Sequence, residues 1–269
     1  IVSPKNLLLR HLAFDQLLQW ALHLKVGSDV SPESLTEQCL QRGYLRTSLI
    51  MEPGEFSSRG DIFDLYPVNG APVRLEFFGD TIENIRQIDV ENQRSVQSVD
   101  DVIAIPRSGL VLTPEHKEQL LSRIHEQLDD QLKGLADVEA EGLQSTVDNQ
   151  LQALEQDFLP DGIDYYAPLV HDDPTAEDPH YHSILEDFLK DSVVVLDDWA
   201  MLTNNLGGLS DRLTRQYNEG VKKGRLLNLD FSYHLSDEEA LGKLKPAALA
   251  AHAGAVVARL EDKDENVRR

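Results

Sequence analysis

The sequence predicts an α/β protein in which a small β-rich module is inserted beside a parallel-sheet lobe and followed by a long helical hairpin. Three observations predict it. Between Tyr44 and Ile105, short runs rich in β-branched and aromatic residues alternate with turn residues. From Leu121 to Phe158, apolar residues recur at steps of three and four. From Val193 to Leu196, four apolar residues stand in a row, the mark of a strand covered on both faces.

The elements follow in order. "IVSP" reads as a short strand, followed by a helical turn or two and an extended return around "LHLKVG". Ser31-Pro32-Glu33 opens a helix carrying Leu35, Cys39 and Leu40, and Gly43 stops it. Strands are predicted near 44–51, 55–59, 61–66, 73–78, 81–89 and 101–105. Asn69-Gly70 suits a type I′ turn and Gly79-Asp80 a type II′ turn. Thr113-Pro114-Glu115 combines a hydroxyl cap, a first-turn proline and an acid facing the helix dipole. It opens a helix pair with Leu121, Ile124, Leu128, Leu132 and Leu135, then Leu143, Val147, Leu151, Leu154 and Phe158, on the apolar face. Gly134 and Gly142 bracket the predicted hinge and Pro160 ends the pair. An Asp- and Pro-rich loop, a short helix over "SILEDFLKDS" and the strand "SVVVLDDWA" come next, and after about residue 236 the composition turns to Ala and Leu.

Composition bounds the function. Of the net charge of −22, residues 111–190 carry 19 acidic against 4 basic side chains, a difference of 15. Nucleic-acid affinity rests on Lys and Arg neutralising phosphates, so this stretch should repel DNA and points to a protein partner or a merely solubilising surface. Cys39 is the single cysteine, which excludes an internal disulfide and fits a reducing compartment. No apolar run has the length of a membrane span, and the first residue is not Met, so the chain is expected to be a piece of something longer.

The candidate chemistry is sparse. Asp197-Asp198 after an apolar strand resembles the acidic pair that holds Mg²⁺ in nucleotide hydrolases, but the G-x-x-x-x-G-K-[ST] phosphate cradle is not in the sequence. We expect no catalytic residue and no cofactor. His171, Asp172, Asp173, Asp178, His180 and His182 are metal-ligand types, but Pro174 and Pro179 interrupt them, and an acidic loop without a metal is the expectation. The β-rich module offers more. Alternation along "VRLEFF" puts Val73, Leu75 and Phe77 on one face and Arg74, Glu76 and Phe78 on the other. Either Phe78 is an exposed anchor among charges, in the Arg-plus-aromatic composition of interface hot spots, or a bulge shifts the register and buries it.

These residues carry a resemblance. Pro53-Gly54-Glu55-Phe56, Arg59-Gly60, Asp64-Leu65-Tyr66-Pro67, Arg74-Leu75-Glu76-Phe77-Phe78 and the Asp89…Gln93-Arg94-Ser95 close resemble the module shared by the transcription-repair coupling factors (Mfd) and the excision-repair protein UvrB. "IVSPKNLLLRHL", "GIDYYAPLV" and "SVVVLDDWA" resemble the flanks, and the "QRS" close with "YYAPL" is more similar to Mfd, of the cyanobacterial or plastid type. The resemblance covers about residues 1–236. It implies the end of a degenerate helicase-like lobe and a linker over 1–30, a UvrA-binding module over 31–110 and the rest of that lobe over 111–236. It also implies UvrA contacts at Arg59, Arg74 and Phe78, with Glu76 supporting, and a degenerate acidic pair at Asp197 and Asp198. RNA polymerase and DNA would be bound through segments outside this chain, in a bacterial cytoplasm or plastid stroma. The alternatives are a piece of a UvrB-like ATP-dependent repair helicase and a solely structural acidic scaffold. Residues 237–269 depart from the pattern and resemble a HEAT-type helical repeat, with Pro246, Asp264, Val267 and Arg268 at matching places.

Overall fold

The computed structural model describes residues 3–155, 159, 163–171, 181–185, 194–196, 199–229, 233–244, 250–252 and 255–258. The chain divides into two compact units, one of residues 15–126 and 147–170 and one of residues 1–14, 127–146 and 171–269. The class is mixed α/β, with a six-stranded, mostly antiparallel sheet.

Ser3 caps the first helix, α1 (Pro4–Leu8), by accepting from the Asn6 N–H at 3.3 Å; this is the predicted helical turn, and residues 1–2 of the predicted strand lie outside the described residues. The short strand β1 (Arg10–Leu12) and helix α2 (Phe14–Gln19) lead to β2 (Leu22–Lys25). Helix α3 (Pro32–Gln41) has the predicted Ser31 cap, whose Oγ accepts from the Ser34 N–H at 3.1 Å. Gly43 follows it at φ +80, where a Cβ would come within 2.9 Å of the Ser108 Cβ, so only glycine fits the turn.

The sheet of the first unit runs β3 (Leu45–Arg46), β4 (Glu55–Arg59), β5 (Ile62–Tyr66), β6 (Val73–Phe78), β7 (Thr81–Asp89) and β8 (Arg94–Val99), each paired with the next. Only β3–β4 is parallel. Strand β9 (Asp101–Ala104) pairs with β2 outside that sheet. One face of the six strands packs with β2 and α3 around Phe56, Phe63, Leu65, Leu75, Phe77, Ile82, Ile85, Leu24, Leu35 and Cys39, all buried. Phe56 and Phe63 stack with centroids 5.4 Å apart. Alternation with a period of two explains this face. Burial pushes the Cys39 thiol far above its ordinary pKa, which makes it a packing residue.

Two turns follow their residues and one does not. Gly60 (φ +58) and Gly79 (φ +59) each open a two-residue loop, between Arg59 and Ile62 and between Phe78 and Thr81. Asn69-Gly70, by contrast, lies in a six-residue connection, and Gly70 has no positive φ. The Asn69 side chain instead donates to Ile103 O at 3.0 Å and accepts from the Ile105 N–H at 3.2 Å, tying the loop to the end of β9. Strand β8 went unpredicted because "RSVQSV" is polar and exposed throughout.

The helical hairpin consists of α4 (Pro114–Leu132) and α5 (Asp137–Glu155). Thr113 Oγ1 accepts from the His116 N–H at 3.2 Å, and Ile124, Leu128, Leu143, Val147, Leu151 and Leu154 are buried as their spacing predicts. The link runs from residue 133 to 136 and contains Gly134, whereas Gly142 lies within α5.

The other unit has its core at Leu7, Leu8, Leu185, Leu206, Leu235, Ala240 and Leu244. Strand β1 pairs antiparallel with β10 (Tyr181–Ser183). The predicted strand appears as β11 (Val194–Leu196), but its partner is antiparallel, so the parallel sheet expected of the lobe is not among the pairings of the described residues. Helices at Trp199–Leu206 and Leu209–Lys222 follow, and at Gly224 (φ +61) a Cβ would sit 2.1 Å from Glu139 O. The tail begins with the helix Asp237–Leu244. Beyond it, β12 (Ala250–His252) and β13 (Ala255–Ala258) form a hairpin whose second strand joins β11. Strands thus stand where the HEAT-like reading expected helix. Val256-Val257 favours extended backbone, and a single helical repeat cannot bury its own face.

Candidate functional site

The solvent-side face of the six-stranded sheet is ordered in rows by the register. Ser57, Asp64, Arg74, Arg86 and Ser98 lie opposite one another across β4 to β8. Arg59, Ile62, Glu76 and Asn84 form the next row, and Phe78 pairs with Thr81 at the hairpin tip. Residues 47–53 cover the far end of this face. Ser57 Oγ donates to Ser48 O at 3.3 Å, Glu55 Oε2 accepts from the Met51 and Glu52 N–H groups at 2.6 and 3.0 Å, and Ile50 is fully buried. The remainder stays open.

Asp64 stands at the centre and is only 1% exposed. Arg74 grips it with two parallel bonds, Nε to Oδ1 at 2.6 Å and Nη2 to Oδ2 at 2.9 Å, the strongest geometry available to this pair. That bond pushes the Arg74 guanidinium still higher in pKa. Arg59 reaches the same carboxylate at 3.6 Å from the mobile end of a largely exposed side chain. Glu76 accepts from Asn84 Nδ2 at 3.3 Å and has Arg86 Nη2 at 3.6 Å. Phe78 is 77% exposed while its neighbour Phe77 is 5% exposed.

Both sequence-level readings of Phe78 therefore contained something real. A bulge does interrupt this hairpin, but on the other strand: Glu76 opposes Asn84 and Phe77 opposes Ile82, which leaves Glu83 as the extra residue of β7. The register of β6 is untouched, and Phe78 faces solvent. Arg74, Glu76 and Phe78 share one face, as the alternation predicted, and the register brings Arg59 onto it. Asp197 and Asp198 lie outside the described residues, as do Asp172, Asp173, Asp178 and His180; among the described residues no group of three or more His, Cys, Asp or Glu could hold a metal. Sequence reasoning missed Asp64 as the hub. Its signal was an acid in the middle of "IFDLY", which the register places opposite Arg74.

Residues 22–109 match the family model of the UvrB interaction domain. Relatives extend beyond that domain. A transcription-repair-coupling factor of Bacillus subtilis is 26% identical over 219 residues, 78% of this chain and 18% of that protein. Its counterpart in Myxococcus xanthus is 34% identical over 174 residues, 59% of this chain and 14% of that protein. A UvrABC system protein B of Mycoplasma mobile is 27% identical over 216 residues, 78% of this chain and 31% of that protein. The chain thus spans less than a third of the length of these relatives. Within it, the UvrB interaction domain comprises β2, α3, the six-stranded sheet and β9, and so contains the whole open face. Among the described residues, no helix is long and apolar enough to cross a membrane.

Proposed function

We propose that this chain is the non-catalytic, UvrA-docking portion of a transcription-repair coupling factor, which brings UvrA to damaged DNA in nucleotide excision repair. One observation carries the reading: a phenylalanine left 77% exposed at the hairpin tip, on the strand that also carries Arg74 and Glu76, in the stretch that matches the UvrB interaction domain. A large exposed aromatic gains nothing in the free protein, and covered by a partner it becomes the kind of anchor that dominates binding energy.

In this reading each side chain has a task. Phe78 enters an apolar recess on UvrA. Arg74, locked flat on Asp64, presents the rim of its guanidinium at little further entropic cost. Arg59, on the Gly60 turn, reaches a carboxylate of the partner, and Glu76 holds the row between them. RNA polymerase and DNA are bound by other segments of the full-length protein, in the bacterial cytoplasm or plastid stroma. The similarity to UvrABC system protein B supports a second reading, a piece of a UvrB-like enzyme whose Asp197-Asp198 pair serves a phosphate cradle encoded elsewhere. Titrating purified UvrA against the labelled chain tests the docking: saturable binding that unlabelled UvrB competes away is expected, and a flat titration refutes it.

A further inference from the structure

We propose that Arg86 is a further UvrA-binding residue, a cation held on the open face to take a carboxylate of the docked partner. This rests on the docking reading above, and three observations carry it.

The first is register. Arg86 on β7 lies directly opposite Arg74 on β6. Like charges directly opposed across an antiparallel pair destabilise a sheet, so nothing in folding favours this placement.

The second is an unmet donor. Arg74 has both oxygens of Asp64, whereas Arg86 has Glu76 at 3.6 Å, beyond good hydrogen-bond length, and that carboxylate also serves Asn84. The Nε of Arg86 is buried and donates to nothing. Buried donors are nearly always paired, so an orphan on a guanidinium calls for an explanation, and an acceptor brought by a partner supplies one.

The third is access. The Arg86 side chain is 41% exposed and lies in the row of Arg74, next to the row that holds Arg59 and Glu76. The open face then spans four adjacent strands, from Arg59 on β4 to Arg86 on β7, about 14 Å at ordinary strand spacing. Three guanidinium groups and two carboxylates, Asp64 and Glu76, meet in its middle. A carboxylate from UvrA satisfies the second fork and relieves the repulsion between the two arginines, so the charge that burdens the free sheet adds to the complex.

The test measures UvrA affinity and thermal midpoint for wild type, Phe78→Ala, Arg86→Gln, Arg86→Lys, Glu76→Gln and the Arg86→Gln/Glu76→Gln double variant. Arg86→Gln should lower affinity at least about tenfold and flatten its salt dependence. Its thermal midpoint should be unchanged or raised, because the like-charge pair is gone. Arg86→Lys should recover only part of the affinity, since it lacks the fork. The same loss should appear in the Glu76→Gln background. Full affinity for Arg86→Gln while Phe78→Ala is impaired overturns this inference and leaves the docking reading standing. A loss that disappears in the Glu76→Gln background also overturns it, because Arg86 then only positions Glu76. No binding by the wild type overturns the docking reading itself.

Discussion

Phe77 and Phe78 are adjacent in sequence and opposite in fate, so truncating each in turn separates folding from docking. Phe77 is 5% exposed in the core of the six-stranded sheet, and Phe77→Ala should cost about 3–5 kcal/mol of stability through the cavity it leaves. Phe78 is 77% exposed, so Phe78→Ala removes almost nothing that the folded chain has buried. Its cost falls on the complex. A phenylalanine side chain covers about 150–250 Å² when buried, so roughly 150 Å² of Phe78 remains available to a partner. At about 25 cal/mol per Å² that is roughly 4 kcal/mol for complete burial. Alanine keeps the Cβ and an interface seldom covers every edge, so about 2–3 kcal/mol is expected, roughly 30- to 150-fold in Kd. The assay pairs urea unfolding with UvrA titration for both variants. Phe78→Ala that melts early with unchanged affinity per folded molecule, or that changes neither quantity, refutes the reasoning.

Other expectations follow from the same geometry. Arg74→Ala should destabilise the domain by about 3–5 kcal/mol in urea unfolding, because it strands Asp64 at 1% exposure, and Arg74→Lys should fall between it and wild type. Glu239 accepts from the Ser236 backbone N–H at 2.7 Å, which holds its carboxyl below the ordinary glutamate pKa. A depressed folded pKa means that this support is present above the unfolded value of about 4.3 and is lost as pH falls through the folded one. Protection of the amides in the helix Asp237–Leu244, relative to their intrinsic exchange rates, should therefore fall on acidification through that window, and less so in Glu239→Gln. Cys39 should resist alkylation at pH 8 in the native protein and react fully in urea, since it is wholly buried with its thiol pKa pushed up. Deleting residues 237–269 removes Ala240 and Leu244 from their core, so the unit holding them should lose at least about 2 kcal/mol by thermal unfolding.

The face of the β-rich module was legible in the sequence because alternation and turn glycines are local signals. Gly60 and Gly79 stand where a backbone with positive φ must, and Val73 to Phe78 keep strict alternation, so Arg74, Glu76 and Phe78 could be grouped before any fold was known. The hub was less legible, because the Asp64–Arg74 bond depends on which residue of one strand lies opposite which of the next. Arg86 was hidden behind the bulge: Ile82 and Ile85, three apart and both buried, break the alternation that would have assigned it a side. Asn69-Gly70 misled because a side chain anchored to the 103–105 backbone leaves the same trace in sequence as a tight hairpin turn. The tail misled because its Ala-rich composition favours helix, whereas the Val256-Val257 pair and the strand partner β11, which composition does not show, favour extended backbone.

The extra residue on β7 has an evolutionary corollary. Removing Glu83 would leave Ile82 still opposing Phe77 and Asn84 still opposing Glu76, so the inward and outward sets would survive intact. What would change is the local twist that a bulge adds, and with it the direction in which the Phe78 tip leans. Insertions and deletions within strands are ordinarily purged because they turn the strand inside out. At this bulge the inward and outward sets are preserved either way, so a lineage can gain or lose a residue here while selection acts on the aim of the hairpin toward its partner.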